Sequence, residues 1–297
     1  MVEKILGVGY VVTDVIQGKE YLGGAAAGIA INGKNLGLDT GLLALLGGDE
    51  RSKKYLLKLL EIGVDLTHLI NVPEANIPKN EMNHDDRTKG WNDFGIGAFF
   101  TDIQLEKDVL ANYGIVHIAS AHPFLVNKVL ERKLYNNLMF TYSPGPKIVN
   151  DPAFLNKDCL RASEVLFLNE TEWKAIRNQL QIDTPQSLFS YGPNVVIISK
   201  GSEGISAFSQ SSLGREEFLP SISWEDPETT GAGDALALGF VIGYTQHLGV
   251  ATSLELGRFL SFCAIQKPGV ILDESELGKF QLFLKQQGVS VQQKGKH

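Results

Sequence analysis

Along most of the chain, short apolar runs rich in β-branched residues alternate with longer segments of helical period. That is the pattern of a mainly parallel sheet flanked by helices. The apolar runs predict strands over residues 5–12, 41–46, 115–119, 138–142, 165–168 and 195–199. The helical period predicts helices over 25–36, 52–62, 123–133 and 171–180. Later, 202–218 reads as a hairpin with turn residues around 209–214, followed by helices over about 233–248, 252–267 and 274–287. The expected class is α/β, with residues 1–297 forming one large domain.

Residues 71–100 break this rhythm. They are polar and poor in helical period, with Asp85-Asp86 placed like a turn between two extended pieces. A connection this long without a core of its own is a lid, a binding loop or a disordered stretch. Trp91, Phe94, Phe99 and Phe100 favour the lid, because disordered segments are depleted in aromatics.

Composition narrows the function classes. The 297 residues carry 27 Lys and Arg against 34 Asp and Glu, a net charge of −7, which argues against a nucleic-acid partner. The longest nearly uninterrupted apolar stretch, 235–244, is about half of a membrane span. The first residues lack a basic start and an apolar signal core, and there are only two cysteines, Cys159 and Cys263. The expected location is the cytoplasm. Glycine stands out at 31 residues, many in pairs or short spacings, which points to close backbone approaches.

The most informative stretch is Asp226-Pro-Glu-Thr-Thr-Gly-Ala-Gly-Asp234, followed by ten residues apolar on every face. A helix of that composition is buried, so its N-terminus opens inside the protein. Its N–H groups and dipole make an anion site, left unobstructed by Gly231, Ala232 and Gly233. Asp234 in the first turn would suit the dipole in any protein. Beside an anion hole it suggests a carboxylate that orients and deprotonates a hydroxyl next to a phosphoryl group.

This segment is similar to the C-terminal signature of the ribokinase-like, or PfkB, carbohydrate kinase family, D-T-T-G-A-G-D. Other marks of the family follow in order. Gly23-Gly-Ala-Ala-Ala-Gly-Ile-Ala-Ile-Asn-Gly-Lys-Asn-Leu-Gly37 resembles its double-glycine helix, and Gly47-Gly-Asp-Glu and Leu60-Glu-Ile-Gly-Val-Asp-Leu66 its G-x-D and L-x-x-x-G-V-D elements. Asn169-Glu-Thr-Glu172 matches N-x-x-E, and Ser199-Lys-Gly-Ser-Glu-Gly204 matches T-x-G-x-x-G. The resemblance implies a three-layer α/β/α sandwich with a small β lid, formed by 71–100 with a short contribution from 14–23. It implies ATP and Mg2+ as cofactors and a sugar or nucleoside as acceptor.

Residue by residue, the resemblance makes Asp234 the catalytic base and the amides of Gly231, Ala232 and Gly233 the anion hole, in a loop shaped by Thr230. Asn169 and Glu172 act on the magnesium and phosphate side, with Glu172 reaching the metal through water. Lys200, Gly201 and Gly204 line the nucleotide. Asp14, Gly23 and Gly24 face the acceptor.

Five features depart from the family pattern. Gly28 replaces a common Asn, and Asn32, one helical turn on, is expected to compensate. Glu228 replaces an Asp, which leaves activation by a monovalent cation open. Ser143 and Leu236 replace a frequent Asp and Phe. The fifth is the short spacing between Asp14 and Gly23, which predicts no outgoing lid hairpin, a smaller lid, and a homodimer left open. The expected function is an ATP-dependent kinase for a primary hydroxyl, with nucleoside and free sugar on equal footing. The base-stacking residues in the nucleoside case would be Trp91 or Phe94, while Lys79, Arg87 and Lys89 leave a sugar phosphate open. The alternative is a kinase-fold binding protein without turnover, motivated by Gly28 and Glu228. A third reading, a dinucleotide oxidoreductase suggested by Gly7-Val-Gly9, is weak because Val12 stands where the fingerprint needs its third glycine.

Overall fold

The computed structural model of the chain describes residues 3–81, 91–92, 95–132 and 138–289. Its first half runs β1 (Ile5–Gly9), β2 (Val12–Ile16), β3 (Lys19–Gly23), α1 (Ala25–Asn35), β4 (Thr40–Gly47), α2 (Glu50–Ile62), β5 (Leu69–Val72), β6 (Lys79–Glu81), β7 (Trp91–Asn92), β8 (Ile115–Ala119) and α3 (Pro123–Leu130). The second half runs β9 (Met139–Ser143), α4 (Lys157–Ala162), β10 (Val165–Asn169), α5 (Glu170–Leu180), β11 (Val195–Ser199), β12 (Gly204–Ser209), β13 (Glu216–Pro220), α6 (Ala232–Tyr244), α7 (Gly249–Ala264) and α8 (Glu274–Gln286).

Nine strands form one sheet in the order β13-β12-β11-β10-β9-β8-β1-β4-β5, in which β12 alone runs antiparallel to its neighbours, β11 and β13. Strand side chains alternate between faces. In β4, Leu43 and Leu45 join the core shared with α3, α4 and α5, while Leu42, Ala44 and Leu46 join the core under α1 and α2. A further core packs α6, α7 and α8 on the same side as α1. Cys159 and Cys263 lie buried in cores on opposite faces of the sheet. Strand order reverses around β1, whose neighbours are β4 and β8. In open α/β sheets the crevice at the carboxyl ends of such strands is where ligands bind.

A second, four-stranded sheet has the order β3-β2-β6-β7. Here the structure corrects the sequence reading. The spacing between Asp14 and Gly23 does hold an outgoing hairpin, because β2 and β3 pair through a turn at Gln17 and Gly18. Both turn residues have positive φ, 50° and 76°, the geometry that matches the twist of a two-residue hairpin. The strand expected over 5–12 is accordingly two strands, one in each sheet.

Residues 71–100 are also divided differently. Their start completes β5 on the large sheet, and Ile96–Thr101 form a 3-10 helix whose Ile96 and Phe100 are buried in the main core. Asp85, Asp86, Arg87, Lys89, Phe94 and the side chain of Trp91 lie outside the described residues. No helix among the described residues is long and apolar enough to cross a membrane.

Candidate active site

The site is built where α6 meets the carboxyl edge of the sheet. Residues Ala235 to Gly243 of α6 are all buried, so the helix cannot rotate to hide its tip. Its N-cap is Gly231 at φ 80°, a conformation that favours glycine and a residue with no side chain to seal the helix. Ala232 N–H donates to the Thr229 carbonyl at 3.3 Å, so one of the expected anion-hole amides closes a turn instead. Gly233 is exposed, and a Cβ there would meet nothing within 4 Å. Asp234, half-buried, follows in the first turn.

The loop before the tip is held by a residue that sequence reasoning assigned elsewhere. Glu228 Oε1 accepts from Thr230 N–H at 3.0 Å and from Thr230 Oγ1 at 2.7 Å. Glu228 N–H donates to Ile265 O, tying the loop to the end of α7. Thr230 is buried by this arrangement. The T-T pair after an acid was the available signal: a carboxylate two residues before a Thr closes a local turn.

Asn169 and Glu172 form a capping box at the start of α5. Asn169 Oδ1 accepts from Glu172 N–H at 2.8 Å, and Glu172 Oε2 accepts from Asn169 N–H at 2.9 Å. Burial pushes the Glu172 carboxyl up to about 7, and the Asn169 hydrogen bonds only partly oppose it. Asn169 pairs with Ser199 across β10 and β11, which brings the capping box beside the turn at Lys200 and Gly201. That turn does not present Lys200 as expected. Its Nζ lies 3.3 Å from Glu216 Oε1 and over the Phe218 ring, so its charge is engaged at the β13 edge. Gly201 and Gly204 both adopt positive φ around it.

At the other end, Asp14 lies in β2 and is buried. Its carboxylate rests over the Cα of Gly23, where any Cβ would overlap it, and Asn80 Nδ2 donates to its Oδ1 at 3.2 Å. Tyr55 donates to Gly23 O at 2.6 Å; burial first, then the Asp14 charge, raises its phenol. A Cβ on Gly24 would overlap Tyr10 O. The double glycine therefore serves approaches within the protein itself.

Asn32 is a second correction. Its Nδ2 donates to Val270 O at 2.7 Å and its Oδ1 accepts from Leu272 N–H at 2.9 Å. Its amide is committed to the segment before α8, not to an acceptor. Gly28, by contrast, does stand at the centre: a Cβ there would lie 3.8 Å from Asp234 Oδ2. Beside the carboxyl ends of β1 and β8, Phe100 stacks on His122 at 4.8 Å and meets Tyr10 edge-on at 5.1 Å, with Lys147 Nζ 4.4 Å from the Tyr10 ring centre.

The sequence profile described as "pfkB family carbohydrate kinase" matches residues 1–277. The chain belongs to this family. PfkB kinases transfer phosphate to hydroxyl acceptors. The chain is 27% identical over 246 residues to a nucleoside kinase of Methanothermobacter thermautotrophicus, covering 82% of this chain and 76% of that one. It is 27% identical over 241 residues to a cytidine kinase of Thermococcus kodakarensis, covering 79% and 84%. The fold is shared with a crystal structure of fructokinase with bound ATP from Xylella fastidiosa, at TM-score 0.73 and 15% identity over 96% of this chain and 99% of that one. The large sheet, the flanking helices and the small second sheet are those of the ribokinase fold.

Proposed function

We propose that the chain is an ATP-dependent kinase acting on the primary hydroxyl of a nucleoside, with Asp234 as the base and the tip of α6 as the phosphoryl site. The observation that carries the reading is the glycine-capped N-terminus of a buried helix with a carboxylate in its first turn. Asp234 accepts the proton of the attacking hydroxyl while the N-terminal amides and dipole of α6 offset charge on the transferred group. Because the transition state is loose, placing donor and acceptor in line matters more than a strong base.

Among the described residues no cluster of three His, Cys, Asp or Glu forms a metal cage. A single carboxylate, Glu172, beside the turn after β11 suits magnesium, which keeps several waters and is held chiefly by phosphate oxygens. Glu172 uses Oε2 in the capping box, and the carboxylate would hold a metal-bound water at the turn beside β11. When bound, the magnesium ion neutralises charge on the phosphates. The small sheet supplies Asp14 for acceptor hydroxyls and a cover that excludes water.

A nucleoside is favoured over a free sugar by the relatives named for nucleosides. The test is magnesium-dependent ATP consumption against nucleosides, pentoses, hexoses and their phosphates. Product from nucleosides at the highest kcat/KM supports the reading. Preference for a free sugar overturns the acceptor assignment, and ATP and acceptor binding without product overturns the enzyme.

A further inference from the structure

Gly28, with no side chain, leaves a notch between α1 and the loop that caps α6, and Val270 fills it. A Cβ on Gly28 would lie 3.4 Å from Val270 Cβ and 3.5 Å from Val270 Cγ2, and 3.8 Å from Asp234 Oδ2. A Cβ on Gly231 would lie 2.8 Å from Val270 Cα and 3.2 Å from both its Cβ and Cγ1. The isopropyl group of Val270, 5% exposed, therefore wedges between the two glycines, one on the acceptor-side helix and the other capping the phosphoryl-side helix.

The wedge is held from both sides. Asn32, one turn beyond Gly28 on α1, binds Val270 O and Leu272 N–H with its two amide atoms, and is itself 2% exposed. A carboxylate cannot make both bonds, and an aliphatic residue makes neither. From the small sheet, the Tyr21 ring packs on Gly269, where a Cβ would meet Tyr21 Cδ1 at 3.3 Å.

From this geometry, and resting on the kinase reading above, we propose that Val270 is a positioning residue: clamped by Asn32 in the notch of Gly28 and Gly231, it sets the spacing between α1 and the tip of α6 and so the placement of Asp234. Gly28 is then the size complement of Val270, because any side chain beyond a methyl would overlap it. A small Asp234 displacement is enough to matter, since in-line transfer tolerates little misplacement.

The test is a double-mutant cycle of Val270→Ala, Gly28→Ala and the pair, with Asn32→Asp as a third single variant, read by kinetics and by hydrogen exchange. Val270→Ala is expected to lower kcat about tenfold with the KM for ATP changed less than about twofold. It should speed exchange at residues 229–236 while the rest of α6 stays protected. Gly28→Ala, whose methyl would meet Val270 at 3.4 Å without overlap, should have a smaller effect alone than Val270→Ala and should recover part of both losses in the Val270→Ala background, since its methyl borders the vacated notch. Asn32→Asp should reproduce the Val270→Ala pattern. Wild-type kcat and exchange in Val270→Ala, or effects of the two alanines that simply add, would overturn the proposal. Absence of turnover in the wild-type protein would overturn the kinase reading instead, and the exchange arm would still decide the wedge.

Discussion

Two helix tips meet the carboxyl edge of the sheet, and they are finished in opposite ways. At α5 the chain seals its own N-terminus: Asn169 and Glu172 exchange hydrogen bonds with each other's backbone, and Glu172 is buried in doing so. At α6 the cap is a glycine, the next two residues carry one methyl between them, and the first-turn acid stays half-buried. A sealed tip has met its donors' needs from within and acts first as framework, with the second Glu172 oxygen left for the metal-bound water proposed above. A tip finished in glycine has no side-chain cap, and although Ala232 N–H turns back to Thr229 O, the bare tip is the arrangement an anion can use. The pair shows that N-x-x-E and G-A-G-D, equally prominent as sequence, finish their helices differently, one with a side-chain cap and the other without.

The comparison can be broken most strongly through pH at the sealed tip. Because burial raises Glu172 to about 7, the folded chain holds this proton to higher pH than the unfolded chain does. The associated stability is complete below about 4.5 and is lost as pH rises through about 7. Against Glu172→Gln, which is always neutral, the wild-type protein should therefore lose ~1.4 kcal/mol per pH unit between about 5 and about 7. Urea unfolding of both proteins across that window checks it; parallel profiles would mean the carboxyl is not buried as described.

Next in size, Asn169→Ala should cost about 1 kcal/mol of stability by removing the cap. The same denaturation measurement reads it, and an unchanged midpoint would show that the box contributes nothing. The smallest stability effect is expected at the glycine-finished tip. Gly233→Ala adds a methyl that meets nothing in the protein, so stability should hold within about 0.5 kcal/mol or rise slightly. Turnover should nonetheless fall about tenfold, because the methyl stands where the transferred group must approach. If stability fell and turnover did not, the tip would be framework like the other.

Much of this was legible from residues alone. The continuous apolar run of β4, the uniformly apolar α6 and the antiparallel pair β12 and β13 follow from hydrophobic pattern, and Gly231 to Asp234 carried the expectation of an anion site. Other parts were hidden for physical reasons. Gln17 and Gly18 make a hairpin whose whole signal is two residues, while α4 and β5 span six and four residues, too short for a period to emerge. Phe100 reads as a lid aromatic until the fold shows it buried against Tyr10. The partners of Asn32 and Lys200 are set by tertiary contacts, in the case of Asn32 more than 200 residues along the chain, and no local pattern specifies such a pairing.

The central claim, that α6 and its first-turn carboxylate form the phosphoryl-transfer site, is tested most directly by Asp234→Asn assayed for turnover alongside calorimetric binding of ATP with magnesium. The account predicts nucleotide affinity within about threefold of wild type and turnover lowered by about three orders of magnitude or more, the signature of a group that acts only in the transition state. Turnover close to wild type, with nucleotide still bound, would contradict it.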